Sequence, residues 1–216
     1  MKLLLLPRFV RRFILIILLT PCLVFSFLFV TLSLLFYPLV FFRKKVSLTK
    51  HSSSRYIRFS LMTVWYLFME CLGVIIALIL WVGTMGGYFM HSRPSQRMHA
   101  LVQYVWASSL LFGARFFFNA RIIFPDCTVF NSGPILVAAQ HSSFFDALLP
   151  TVLLGKGGGS IVPRHVLKSD LLLSPSLDLY GNRLPNKFVE RSSAARDLDI
   201  SGVYSIGKEL HKDACV

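Results

Sequence analysis

Thirty consecutive residues, Phe13 to Phe42, carry no charged side chain, and Cys71 to Met90 form a second uncharged run of twenty. A helix crosses the hydrocarbon core of a bilayer with about 20 apolar residues. These two runs therefore commit the first part of the chain to membrane helices. Composition points the same way: 55% of residues are hydrophobic and the mean hydropathy is +0.63, too apolar for an ordinary soluble domain of 216 residues. The run after Arg12 is too long for a cleaved signal peptide, whose apolar region has about 7–15 residues, so an uncleaved anchor is expected.

Pro21 and Pro38 interrupt the first run, and proline kinks a helix by removing a hydrogen bond. Residues 1–45 thus read either as one long kinked span or as a re-entrant hairpin in one leaflet. A hairpin keeps the clusters Arg8, Arg11, Arg12 and Arg43, Lys44, Lys45 on the cytoplasmic side, which suits the positive-inside rule better. Residues 46–58 read as a basic, polar linker and 59–90 as a second membrane segment, with Trp65 and Tyr66 suited to an interfacial belt. Glu70 falls at the edge of the Cys71–Met90 run, where a boundary charge needs no function.

The net charge of +13 would suit nucleic acid, but its cations flank the apolar runs, an arrangement that suits anionic lipid headgroups. A nucleic-acid groove would instead interleave cations and aromatics on a folded surface, so no nucleic-acid partner is expected. The four cysteines are dispersed without a C-x-x-C pair, and the six histidines are equally scattered. Neither a disulfide framework nor a metal centre is indicated, and no bound cofactor is expected.

Residues 91–121 carry Met98, Leu101, Val102, Val105, Trp106 and Phe112 near a helical period. They fit an interfacial amphipathic helix or a core helix of the domain that follows. From 122 the texture alternates between strand and helix, which predicts α/β layers. Ile122–Phe124, Ile135–Ala139, Ile161-Val162 and Leu184–Val189 are strand candidates. Phe144–Leu154, interrupted by Pro150, and Asp197–His211 are helix candidates. Lys156-Gly-Gly-Gly-Ser160 lacks the spacing of a nucleotide-binding loop and reads as a flexible turn.

His141-Ser-Ser-Phe-Phe-Asp146 places a histidine and a carboxylate five residues apart after an apolar run. Histidine titrates near neutrality and can take a proton from an alcohol; a carboxylate can orient the ring. The same residues also fit a strand end followed by a capping box, with Ser143 as N-cap and Asp146 three positions on. Further along, Phe188-Val189 is flanked by Lys187, Glu190 and Arg191, and arginine can grip phosphate through two hydrogen bonds.

Taken together, these segments resemble the glycerolipid acyltransferase family, which includes 1-acylglycerol-3-phosphate acyltransferases. His141 to Asp146 matches its H-x4-D motif. Phe188-Val-Glu-Arg191 matches its second motif, and Lys168-Ser-Asp-Leu with Pro175 resembles the lysine-bearing stretch between them. The resemblance covers residues 122–216 and implies an α/β fold class: N-terminal membrane helices followed by an incomplete glycerolipid-acyltransferase-like domain. It implies transfer of a fatty acyl group from acyl-CoA or acyl-ACP to the hydroxyl of a lysophospholipid. His141 would be the general base and Asp146 its orienter; Arg191, with Lys168, would bind the acceptor. The family's third motif, of F-P-E-G-T-R type, is expected beyond Lys212, and the sequence stops at Val216. The expectation is a truncated enzyme; the alternative is an inactive membrane protein that binds lipid or a partner. The basic loops suggest that the catalytic part faces the cytoplasm.

Overall fold

A computed structural model describes residues 6–43, 50–124, 135–137, 144–156, 162–190, 200–201, 203–204, 207 and 214–215. Three long helices dominate: α1 (Arg8–Arg43), α2 (Lys50–Gly83) and α3 (Arg93–Phe118). Each is long and apolar enough to cross a membrane. Of the two alternatives for the first run, α1 takes the long span: it is one unbroken helix of 36 residues, about 54 Å at 1.5 Å per residue. Pro21 and Pro38 are accommodated within it. The expected linker is also partly helical, because α2 already begins at Lys50.

The outward faces are those of a membrane protein. Phe13, Ile17, Phe25 and Leu28 on α1, and Phe59, Ile75 and Ile79 on α2, are all exposed. Helix α3 shows the same inversion. Met98, Leu101, Val105, Phe112 and Phe116 lie on its surface, whereas its inward face carries Ser95, His99, Gln103, Trp106, Ala107 and Leu110. Polar and small residues inside with large apolar ones outside reverse the pattern of a soluble helix, as expected where lipid replaces water.

Local chemistry fixes the ends of α3. Ser92 caps its first turn, accepting from the Ser95 amide, and Pro94 occupies a position where no intrahelical amide donor is required. Asn119 ends it in the left-handed conformation, φ 55°. The turn Thr84–Ser92 reverses the chain, so α2 and α3 run antiparallel. They approach closely at Gly113, where a β-carbon would lie 2.7 Å from the Trp65 ring. That absence lets the Trp65 indole donate a 2.9 Å hydrogen bond to the Ser109 carbonyl. Trp65 and Tyr66 are half-buried, packed against the core cluster that holds Trp106 and Leu110.

The remaining elements are short. A 3-10 turn (Phe144–Leu148) leads into α4 (Leu149–Lys156), broken near Pro150 as the sequence indicates. β2 (Val166–Lys168) and β3 (Lys187–Val189) pair in parallel, connected through a second 3-10 turn and α5 (Pro175–Arg183). β1 (Ile135–Leu136) pairs in parallel with β4 (Ala214–Cys215). Parallel pairs joined by helical crossovers are the βαβ arrangement, but the described strands hold only two or three residues each. The molecule as described is chiefly helical, with a small α/β element.

Several strand expectations change. Residues 121–124 are not in a strand; Ile122 and Phe124 instead pack against the Leu110 core cluster. Val162 lies outside any ladder; Arg164 forms an isolated bridge, and the β2–β3 ladder begins at Val166. Leu184 caps α5, so β3 starts only at Lys187. The expected helix 197–211 lies largely outside the described residues; Ile200, Ser201, Val203, Tyr204 and Gly207 within it are helical.

Candidate functional site

Asp146 stands in the 3-10 turn Phe144–Leu148, half-buried. Three residues make one turn of such a helix, so Phe145 and Leu148 share a side. Both anchor the turn to α3: Leu148 enters the core with Trp106 and Leu110, and the Phe145 ring meets Phe118 edge-on at 6.4 Å. Asp146 is thereby carried on a segment fastened to a membrane helix. Lys168 ends β2, exposed and ion-paired with Asp170. The register aligns Val166 with Lys187, Leu167 with Phe188 and Lys168 with Val189. Lys168 therefore stands level with the residue that precedes Glu190. His141, Ser143 and Arg191 lie outside the described residues.

Glu70 requires a correction. It is fully buried in the body of α2 and receives the N-terminus of α5. Ser174 Oγ donates to Glu70 Oε1 at 2.8 Å, and the Ser176 amide donates to Oε2 at 2.9 Å. The first-turn amides of a helix lack internal acceptors and carry the positive end of its dipole, so a carboxylate there is stabilising. Ser174 completes the cap by accepting from the Leu177 amide. Gly73, one turn along α2, makes the approach possible, since a β-carbon there would stand 2.4 Å from Ser176 Oγ. Its carbonyl accepts from the Tyr180 hydroxyl at 2.8 Å.

Asp178, also fully buried, ties α5 to α1. Its Oδ1 accepts from Arg11 Nη2 at 3.1 Å, and its Oδ2 from Arg12 Nε at 3.0 Å. Asn182 Nδ2 donates a further bond, of 2.7 Å, to Oδ1. At the far end of α5, Arg183 Nη1 donates to the Ala77 carbonyl at 2.7 Å and lies 3.4 Å from His99 Nε2. One nine-residue helix thus contacts α1, α2 and α3 through buried polar groups. Replacing Glu70 by Gln puts an amide NH2 where one donor now points. The expected loss is about 1–3 kcal/mol, the usual cost of an unsatisfied buried group. Thermal unfolding in detergent measures it, and an unchanged midpoint would show that the cap is dispensable.

His165 is a second buried polar group. Its amide donates to Asn186 Oδ1 at 2.7 Å, and its Nε2 lies 3.0 Å from Thr151 Oγ1, joining β2 to α4 and to the entry of β3. Burial pushes its pKa down from 6.5 to about 4, opposed by the hydrogen bond to Asn186. The folded protein therefore holds this ring neutral, while the unfolded chain protonates it near pH 6.5. Below that pH the unfolded state binds the extra proton, so stability falls as pH falls. The slope is at most about 1.4 kcal/mol per pH unit, and it ends near pH 4, where the folded ring protonates too. An unfolding series between pH 7 and 4 should show a flatter profile for His165→Gln than for the parent. Equal slopes would exclude His165 as the source.

Two cavities border these segments. One, of about 30 Å³, is lined by Ala147, Leu148, Thr151, His165, Gln103 and Trp106 among others; it has room for a water and not for a substrate. The other is an open groove of about 520 Å³ whose described lining is Arg55, Tyr56, Arg58, Phe59 and Phe118. Among the described residues no three His, Cys, Asp or Glu side chains gather as a metal site. The docking of α5 had one legible local signal, Ser174-Pro175, an N-cap followed by a proline at the first helical position. Its partners on α1 and α2 had none. No protein-family model, curated protein or solved structure gives a significant match to the chain.

Proposed function

We propose that the chain carries a membrane-bound acyl-transfer site that esterifies a lysophospholipid, such as 1-acylglycerol-3-phosphate, using acyl-CoA or acyl-ACP. The observation that carries this reading is the parallel β2–β3 register. It sets Lys168 level with Val189, so the lysine-bearing stretch and the Phe188-Val-Glu-Arg191 run leave the same end of one strand pair. Ligands of α/β sheets bind at the carboxyl ends of parallel strands. The turn that carries Asp146 is fastened to α3 through Phe145 and Leu148, beside helices that would bring a lipid substrate.

In this mechanism His141 removes the acceptor hydroxyl proton as the oxygen attacks the thioester carbonyl carbon. The carbon–sulfur bond breaks, and the departing thiolate takes the proton back from His141. Asp146 holds the imidazole in the tautomer that accepts at the reactive nitrogen. Arg191 and Lys168 hold the acceptor phosphate. The acyl-transfer face would be cytoplasmic, where acyl-CoA is found.

The test uses membranes bearing the protein, expressed with any coding sequence that follows Val216, and radiolabelled acyl-CoA or acyl-ACP. Labelled diacyl product from a panel of lysophospholipids is expected. Absence of transfer to every acceptor from both donors would overturn the reading in favour of a non-catalytic lipid-binding protein.

A further inference from the structure

Among the described residues, Gln103 Oε1 and Trp106 Nε1 are buried without a hydrogen-bond partner. Their residues are only 5% and 4% exposed. A buried polar group left unmet is costly, so both call for a partner. The two residues stand three apart on α3, a spacing that makes them neighbours on one helix face. Both line the cavity of about 30 Å³ that α3 shares with α4 and β2.

Thr151 and His165 line the same cavity, and their hydrogen bonds fix what Thr151 can offer. Asn186 Nδ2 donates to the Gly181 carbonyl at 3.2 Å, which leaves Oδ1 for His165. That oxygen accepts from the His165 amide at 2.7 Å and lies 3.3 Å from Nδ1. An amide oxygen only accepts, so the ring proton sits on Nδ1 and Nε2 is an acceptor. The Thr151 hydroxyl, 3.0 Å from Nε2, therefore donates its proton there. Its oxygen keeps lone pairs for another donor. The cavity thus has one donor, Trp106 Nε1, and two acceptors, Gln103 Oε1 and Thr151 Oγ1.

We propose that this cavity binds one structural water, which accepts from Trp106 Nε1 and donates to Gln103 Oε1 and Thr151 Oγ1. A buried water needs roughly 10–15 Å³ and two to four polar partners, and the cavity supplies both. An anion would face two acceptors, and a cation would face the indole N–H. Only a neutral molecule that both donates and accepts matches the set, and at this volume that molecule is water. The water completes a chain from Gln103 and Trp106 through Thr151 and His165 to Asn186, joining α3 to α4, the start of β2 and the entry of β3. Ala147, which follows Asp146, and Leu167, which precedes Lys168, also line the cavity. The water therefore lies under both segments, and the inference does not depend on the acyl-transfer reading.

The experiment places the full chain, with isotope-labelled tryptophan, in lipid nanodiscs and records magnetisation transfer from water to each indole N–H. Opposite signs in the laboratory-frame and rotating-frame spectra separate a bound water from proton exchange. Such a peak is expected at Trp106. It should be absent at Trp65, whose indole already donates to the Ser109 carbonyl. Trp65→Phe and Trp106→Phe variants assign the two signals. In Gln103→Leu/Thr151→Val the Trp106 peak should fall roughly tenfold, because one remaining partner is fewer than the two to four that hold a buried water. As a second readout, the unfolding-midpoint shifts of Gln103→Leu and Trp106→Phe should be less than additive in the double variant, since the water couples two groups that make no direct bond. No bound-water peak at Trp106, an equal peak at Trp65, or additive midpoint shifts would overturn the site.

Discussion

Asp178→Ala should destabilise the protein by about 3–5 kcal/mol, the usual cost of removing one partner from a buried ion pair. Arg11 is only 5% exposed at its side chain, so its charge cannot turn to water when the carboxylate goes. Arg12, at 30% exposure, can relax outward and contributes less. The Asn182 amide loses an acceptor at the same time. Thermal unfolding in detergent micelles, followed by tryptophan fluorescence, measures the loss. An Arg11→Met/Asp178→Leu double variant removes both charges and should recover much of it, because an apolar pair of similar volume avoids the cost of burying charge. If the double variant is as unstable as Asp178→Ala, the loss comes from packing of α5 and not from the stranded guanidinium.

On the proposed acyl-transfer reading, His141→Ala should lower transfer by about 10²–10⁴-fold, the range supplied by a positioned general base. Membrane insertion and the unfolding midpoint should not change, since α5 is held to the long helices through Glu70, Asp178 and Arg183. Retained turnover in His141→Ala would remove it from the role of base and with it the proposed mechanism. A rate loss accompanied by a lowered midpoint would point to a folding defect; the two readouts separate these outcomes.

Much of the helical architecture was legible because its signals are local. The uncharged runs Phe13–Phe42 and Cys71–Met90 mark α1 and α2, and the periodic apolar residues after Arg93 mark α3. Pro150 announced the break before α4. Strand positions were less legible, since apolar residues at Ile122 and Phe124 satisfy a helix-packed core as readily as a sheet. Continuity of α1 through Pro21 and Pro38 was also ambiguous, because a proline can kink a helix without ending it. Of the candidate site residues, the register relating Lys168 to the Phe188-Val189 run emerged only from strand pairing.

By itself, the sequence determined that this protein has long membrane-compatible helices, basic flanks and an H-x4-D segment near a Phe-Val-Glu-Arg run. Apolar length and motif spacing are properties of contiguous residues, so one dimension suffices to read them. Only the tertiary structure decided that Glu70 caps α5, that Asp178 binds Arg11 and Arg12, and that α5 joins three long helices. These partners stand 84 to 167 residues apart. A charge in sequence carries no mark of which distant charge it will meet; burial makes that choice, because in a low-dielectric interior each ionised group must find its partner or remain in water.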